Sequence, residues 1–262
     1  PELSQLEWDI KAYFTLGGAV HDAGISSWSV KRIYDYVRPI TAIRYLAQKG
    51  QCTDPALPHF DPLGLPLING KVELVDKKDP LAGPNKEHVG KIKLWAWRGP
   101  EAIKDPFEDE AGVGWILAEN WWPYQRFSFA TPPFAGYVSG HSAFSVAAAS
   151  VLEQITGDPY FPGGLAEWTA DANEFLIFED GPSQNLTLQW ATYYDAADQA
   201  GISRLYGGIH VAPDDVEGRI IGSKIGLAAF LRTQSLIQDL AEKPNLAPLK
   251  IKATSPPQNE AI

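Results

Sequence analysis

The chain has 262 residues, of which 45% are apolar and 21% charged; these proportions exclude a wholly disordered protein and allow one large domain with a substantial core. A formal net charge of −10 argues against a general nucleic-acid binder, which needs an excess of Lys and Arg to neutralise phosphates. Cys52 is the only cysteine, so no intrachain disulfide can form and the redox compartment stays open, while no apolar run approaches the ~20 residues of a membrane-spanning helix.

Residues 6–48 are rich in helix formers, with apolar side chains at helical spacing: Leu6, Ile10, Tyr13 and Phe14, then Ile33, Tyr36, Val37 and Ile40. Two or three helices are expected there, with Pro39 kinking one or opening a new segment. Eight prolines are scattered over residues 51–106, which predicts long loops with only residues 87–97 regular; an excursion of that length usually covers a site. Residues 108–119 predict a helix that ends before the Trp121-Trp122-Pro123 turn. Ser139 stands where a helix N-cap belongs, ahead of an apolar run to Leu152 that Gly157-Asp158-Pro159 stops. Residues 161–184 are irregular with room for a short hairpin, residues 186–204 and 213–240 predict two more helices, and residues 246–262 a tail. With no repeat and no break in composition, residues 1–262 are expected to form a single all-α domain, a helical bundle with long irregular loops.

Three short stretches carry the chemistry: Lys31-x6-Arg38-Pro39, Ser139-Gly140-His141 and Ser203-Arg204-x5-His210-x3-Asp214. A Ser-Gly pair at a helix start offers free N–H groups and the positive end of the helix dipole, with His141 in the first turn. Lys31 and Arg38, two turns apart on a continuous helix, would share one face. Beside Trp28, Tyr34, Tyr36 and Val37 such cations need an anion to face; Asp35 is an alternative partner, and a solvated basic stripe the plainer account. Asp214, four residues after His210, can hold one ring nitrogen and leave the other free, or it can simply favour the first turn of the last helix. Together the three cations, the backbone donors and the two imidazoles suit transfer of a phosphoryl-like group, where charge on equatorial oxygens must be neutralised. His59 and His88 lie in loops without ligands at metal spacing, His21-Asp22 fits a core position, and Glu108 with Glu110 reads as solvated charge.

On these motifs the chain resembles the vanadium-dependent haloperoxidases and the type 2 phosphatidic acid phosphatase superfamily that contains them. The signature runs KxxxxxxRP, PSGH and SRxxxxxHxxxD; the first and third match fully, and the middle one has Val138 where Pro is usual. Asp22-Ala23-Gly24-Ile25 and Thr131-Pro132-Pro133-Phe134 resemble the soluble haloperoxidase branch. The likeness covers about residues 6–231, and since members are longer, with helices ahead of this region, the chain is expected to be the C-terminal portion of a longer polypeptide.

The resemblance implies that Lys31, Arg38, Arg204, Ser139 and the Gly140 N–H hold vanadate oxygens. It makes His210 the vanadium ligand oriented by Asp214, His141 the acid–base group near the apical oxygen, and Trp28 with Phe134 the lining of a halide pocket. Lys31 would also polarise the bound peroxide. The implied activity is oxidation of halide by hydrogen peroxide to hypohalous acid with vanadate as cofactor. The alternatives are an acid phosphatase that forms a phosphohistidine in the same pocket and needs no vanadate, and a non-catalytic oxyanion-binding subunit. Expected partners are hydrogen peroxide, halide, and an organic acceptor or phosphate ester, with an N-terminal segment of the same protein and a second copy of the chain as further candidates; nucleic acid and a membrane span are not expected. A secreted or periplasmic location is expected over a cytoplasmic one.

Overall fold

The computed structural model describes residues 4–242; the tail expected over residues 246–262 lies outside the described residues. The first helix, α1, runs Gln5–Tyr34 from an N-cap at Ser4, whose hydroxyl accepts the Glu7 N–H at 3.2 Å. Its inward face is a stripe of small residues, Ala12, Thr15, Ala19, Ala23 and Ser27, which continues to Lys31 at steps of three or four. The larger apolar residues that predict this helix, Leu6, Ile10, Tyr13 and Phe14, are exposed, so they mark the helical period but not its buried side. His21 is exposed too, with its side chain 73% accessible beside Asp22, which corrects the expectation of a core position.

Lys31 and Arg38 do not share one continuous helix. Asp35 closes α1 in the left-handed region at φ 42, rare for a residue with a β-carbon, and the chain then runs extended to Arg38 at φ −82, ψ 152. Pro39 is the cause: its ring disfavours helical backbone at the preceding residue, and its own missing N–H costs nothing at the first helical position. Pro39 therefore opens a second helix, α2 (Pro39–Gln48).

The first strands fall within the proline-rich excursion and just after it. β1 (Val72–Leu74), β2 (Ile92–Trp97) and β3 (Val113–Leu117) form an antiparallel sheet in which Val72 faces Leu94 and Leu94 faces Ile116. The helix expected at residues 108–119 is thus a strand followed by a single 3-10 turn, Ala118–Asn120. Gly112 at φ 64 and Gly114 break a helix, whereas Val113, Trp115 and Ile116 suit a half-buried pleat. Ile92 and Leu94 pack with Ala47, Cys52 and Ala118 into a small core under α2.

α3 (Gly140–Thr156) begins at Ser139 and ends at Gly157 in the left-handed conformation, φ 74. β4 (Ala166–Ala170) then pairs antiparallel with β5 (Leu186–Trp190), so the helix expected from residue 186 starts later. Leu186, Leu188 and Trp190 alternate with Thr187 and Gln189, a period of two. Thr192 and Asp195 form a reciprocal capping box that opens α4 (Tyr193–Tyr206), and α5 (Ala212–Glu242) follows.

α1, α3 and α5 pack around Ala19, Ala23, Ala143, Ala147, Val151 and Ala229, and α4 completes the bundle against α3 through Val146, Ala149, Tyr193 and Ala197. α5 meets α3 almost backbone to backbone. A β-carbon on Gly218, Gly222 or Gly226 would lie 2.7 Å from Ser139 O, 2.5 Å from Ala143 O and 2.6 Å from Ala147 O respectively. One glycine per turn on that face lets the two helices approach closely, and the contact joins their N-terminal ends. Among the described residues no helix is long and apolar enough to cross a membrane.

Candidate active site

Three helix starts meet at one end of the bundle. Arg38 is the N-cap of α2, Ser139 caps α3, and His210 stands two residues ahead of α5. The Ser139 N–H donates to Asp214 O at 2.8 Å, tying the start of α3 to that of α5. Arg38 Nη1 donates to Ile209 O at 2.7 Å and to His210 Nε2 at 3.0 Å, bringing α2 to the same point. Unpaired N–H groups and dipole ends at such a junction favour an anion.

The partners of His210 settle its tautomer. Nδ1 lies 2.8 Å from Asp214 Oδ2, inside the protein where both groups are buried. A guanidinium only donates, so the contact with Arg38 requires a bare Nε2, and the ring proton sits on Nδ1 and points at Asp214. Burial pushes His210 below the ordinary imidazole value, against the pull of Asp214. The result is a neutral imidazole whose lone pair faces a cation.

Lys31, from the last turn of α1, is 3% exposed and donates through Nζ to Ala135 O at 2.9 Å and Gly136 O at 2.8 Å. Arg38, 5% exposed, donates through Nε to Phe134 O at 2.8 Å and through Nη2 to Ala135 O at 3.2 Å. Neither pairs with Asp35, which is exposed at the end of α1. Burial, then the neighbouring Arg38, pushes Lys31 down to about 8, with Asp214 opposing; burial brings Arg38 to about 10, with Asp214 opposing and Arg204 adding to the depression.

Arg204 sits in the last turn of α4, and burial lowers it also. Its Nε is buried without a hydrogen-bond partner among the described residues. Desolvation, with the charges of Arg204 and Lys31 adding to it, pushes His141 down to about 4. His141 keeps solvent contact, and water at the mouth limits that depression.

Trp28 and Phe134 meet at 5.1 Å between ring centroids and are both partly exposed. The Lys31 ammonium lies 5.7 Å from the Trp28 ring and 5.5 Å from Phe134, and the Arg38 guanidinium 5.3 Å from Phe134. Gly140 is where α3 passes that aromatic pair: a β-carbon there would lie 3.1 Å from Trp28. Val138, in the position where the family signature has proline, is fully buried.

The motif residues therefore gather in one place. Lys31, Arg38, His210, Asp214, Trp28 and Phe134 are linked by direct contacts, Ser139 and Gly140 by the start of α3, and His141 and Arg204 through the field they share with Lys31, Arg38 and His210. Sequence reasoning misses the carbonyls of Phe134, Ala135 and Gly136, which have no side-chain letter to reveal them. It also misses Ser142 and Asp215, whose hydroxyl and carboxylate stand behind Ser139 with 2.6 Å between them; the signal available is the Asp215-x3-Arg219 pair at helical spacing.

This donor set fits a tetrahedral oxyanion. Three cations depress or crowd one another, a buried guanidinium nitrogen lacks an acceptor, and one imidazole presents a lone pair; an anion with several oxygens answers all three. Among the described residues there is no group of three or more His, Cys, Asp or Glu that could hold a bare metal ion. His88 Nδ1 is instead engaged with Leu81 O at 2.9 Å, and His59 is exposed.

Fold and site together define a helical-bundle domain with an oxyanion cradle built where its helices begin. A family model for the VCPO second helical-bundle domain matches residues 11–60 and 84–239. The chain belongs to that family, within the vanadium-dependent haloperoxidases. The crystal structure of an apo-type bacterial vanadium-dependent chloroperoxidase superposes with a TM-score of 0.63 at 18% identity, covering 90% of this chain and 39% of that one. A holo-type bacterial vanadium-dependent chloroperoxidase gives 0.56 at 19% identity, covering 84% and 35%. At such identities the likeness is one of fold, and the chain spans well under half the length of either structure. No curated protein matches the sequence.

Proposed function

We propose that this domain carries the oxyanion centre of a vanadium-dependent haloperoxidase that oxidises halide with hydrogen peroxide to hypohalous acid. The observation that carries the reading is the His210 imidazole, its Nδ1 proton held by Asp214 and its bare Nε2 turned to Arg38. Vanadate, when bound, supplies a Lewis acid that activates peroxide. His210 Nε2 would hold it, and Lys31, Arg38, Arg204, Ser139 and the Gly140 N–H would neutralise its oxygens. Lys31, held at about 8, keeps its proton at neutral pH and remains a donor. His141, pushed down to about 4, is uncharged there and suited to take a proton from incoming peroxide at the mouth. Trp28 and Phe134 give halide an apolar wall with cations behind it.

The bare Nε2 also suits attack on a phosphate monoester to form a phosphohistidine. That reaction needs a protonated His141 to supply the leaving oxygen with its proton, and burial, with the neighbouring cations adding to it, lowers the His141 imidazole, which supports halogenation over hydrolysis. The test follows bromination of a phenolic dye with peroxide and bromide, with and without orthovanadate, beside hydrolysis of p-nitrophenyl phosphate. Vanadate-dependent bromination is expected. Hydrolysis inhibited by vanadate, without bromination, transfers the site to the phosphatase reading; oxyanion binding without either reaction makes the chain a binding subunit.

A further inference from the structure

Ser142 and Asp215 stand behind the candidate cradle and determine where the Ser139 proton points. Ser142 Oγ lies 2.6 Å from Asp215 Oδ1 and 2.8 Å from Ser139 Oγ. Asp215 is itself clamped by Arg219, Nε to Oδ1 at 3.0 Å and Nη2 to Oδ2 at 2.9 Å, and Arg219 is anchored on Asp198. A carboxylate so paired only accepts, so the one proton of the Ser142 hydroxyl goes to Asp215. The contact between the two serines then has a single donor left, the hydroxyl of Ser139. The lone-pair side of Ser139 Oγ is occupied as well, since it accepts the Ser142 N–H at 3.3 Å as the helix cap.

We infer that Ser142 and Asp215 are positioning residues that draw the Ser139 proton away from the oxyanion site, so that Ser139 donates to a bound oxyanion only by giving up its bond to Ser142. This rests on the oxyanion reading above and deepens it. The network is closely housed: a β-carbon on Gly201 would lie 2.3 Å from Asp215 Oδ1, so α4 leaves the carboxylate little room to turn aside. Asp215 stays in place, and with it the polarity of the chain of hydroxyls. In the wild-type protein, oxyanion binding sacrifices one neutral hydrogen bond, and removing the competitor restores about fivefold in affinity.

The test measures orthovanadate binding by calorimetry in the wild-type chain, Ser142→Ala, Asp215→Ala, Ser139→Ala and the Ser139→Ala/Ser142→Ala pair, with circular dichroism confirming the fold of each. Ser142→Ala and Asp215→Ala should each bind about fivefold more tightly, the second because Ser142 can then donate to Ser139 and release its proton. Ser139→Ala should bind more weakly, and the double variant should match it, the gain from Ser142→Ala having vanished. A scaffold role for the network predicts the opposite sign, weaker binding in both variants, and that result overturns the inference. So does a gain that persists without Ser139. If one of the two variants fails to fold, the other decides. A wild-type chain that binds no orthovanadate sinks the oxyanion reading itself, whereas wild-type binding with no gain in the variants sinks only the role of Ser142 and Asp215.

Discussion

Gly222 offers the sharpest test of how the bundle sets the site, because two physical effects of one methyl group oppose each other there. Replacing Gly by Ala in a helix interior ordinarily stabilises by ~0.8–1.0 kcal/mol, since the folded chain forfeits less backbone entropy. At Gly222, however, the new β-carbon would lie 2.5 Å from Ala143 O and 3.1 Å from Ala143 C and Cα. That is about 0.9 Å short of the 3.4 Å where ordinary contact begins. The obstacle is backbone, which no rotamer change moves aside. Gly218 and Gly226 make the same close approach one turn to either side, so α5 cannot tilt to relieve it. Overpacking of this kind costs ~1–3 kcal/mol and should outweigh the propensity gain, leaving Gly222→Ala destabilised on the order of 1 kcal/mol. Urea denaturation reads this as a lower midpoint at unchanged slope. The control is Gly17→Ala or Gly18→Ala in α1, where a β-carbon meets nothing within 4 Å; propensity then acts alone and the midpoint should rise. Orthovanadate affinity should fall in Gly222→Ala, because the Ser139 N–H bond to Asp214 O spans the same two helices. A Gly222→Ala midpoint at or above the wild-type value would refute the backbone-contact argument.

Lys31 makes the pH dependence directional. With its ammonium at about 8 in the free site, orthovanadate affinity should be level below that value and decline above it as the charge is lost. Comparison with Lys31→Met cancels the anion's own titration; that variant should bind more weakly at neutral pH and lack the alkaline decline attributable to the lysine. The effect on stability has the opposite sign: a folded value below the ordinary 10.5 burdens the native state at low pH, and urea midpoints should show the burden lifting between about 8 and 10.5. Arg204→Ala removes a crowded cation with an unpartnered nitrogen, so thermal unfolding without ligand should be unchanged or higher, while the rise in melting temperature on adding orthovanadate should shrink or vanish. A marked loss of stability in the ligand-free variant would contradict that account. His210→Ala should abolish vanadate-dependent bromination and phosphatase activity alike, and full turnover in either assay would remove His210 from the site.

The cradle was legible in the sequence because most of its members are charged or aromatic side chains at the fixed spacings of three motifs. The bundle was legible as a class for a similar reason, in its helical periods and stop signals. What was misread follows from physics that residue spacing alone does not express. On α1 the apolar period was correct but the face was reversed, because close packing against α3 and α5 selects Ala, Ser and Thr for the interior and leaves Leu6, Ile10, Tyr13 and Phe14 outside. Placing Lys31 and Arg38 on one continuous helix fails, whereas the expectation that Pro39 opens a new segment holds, because proline disfavours helical backbone at the residue before it. That break has a functional consequence, since it turns Arg38 into a helix cap with its guanidinium at the junction of α2, α3 and α5 rather than two turns along a basic stripe from Lys31.

The remaining gap is one of direction. Ser139 and Ser142 are both visible in the sequence, yet which hydroxyl donates depends on Asp215, and whether Asp215 can only accept depends on Arg219 and Asp198 from another helix. Likewise Lys31 and Arg38 are held by carbonyls of Phe134, Ala135 and Gly136, groups every residue possesses and no residue type announces. Side-chain identity thus tells which charges the site contains, while the backbone that folds around them decides which donors are already engaged. Lys31 has one of its three N–H donors and Arg38 one of its five left for an incoming oxyanion, so the 134–136 segment limits how much of their donor capacity the site can offer.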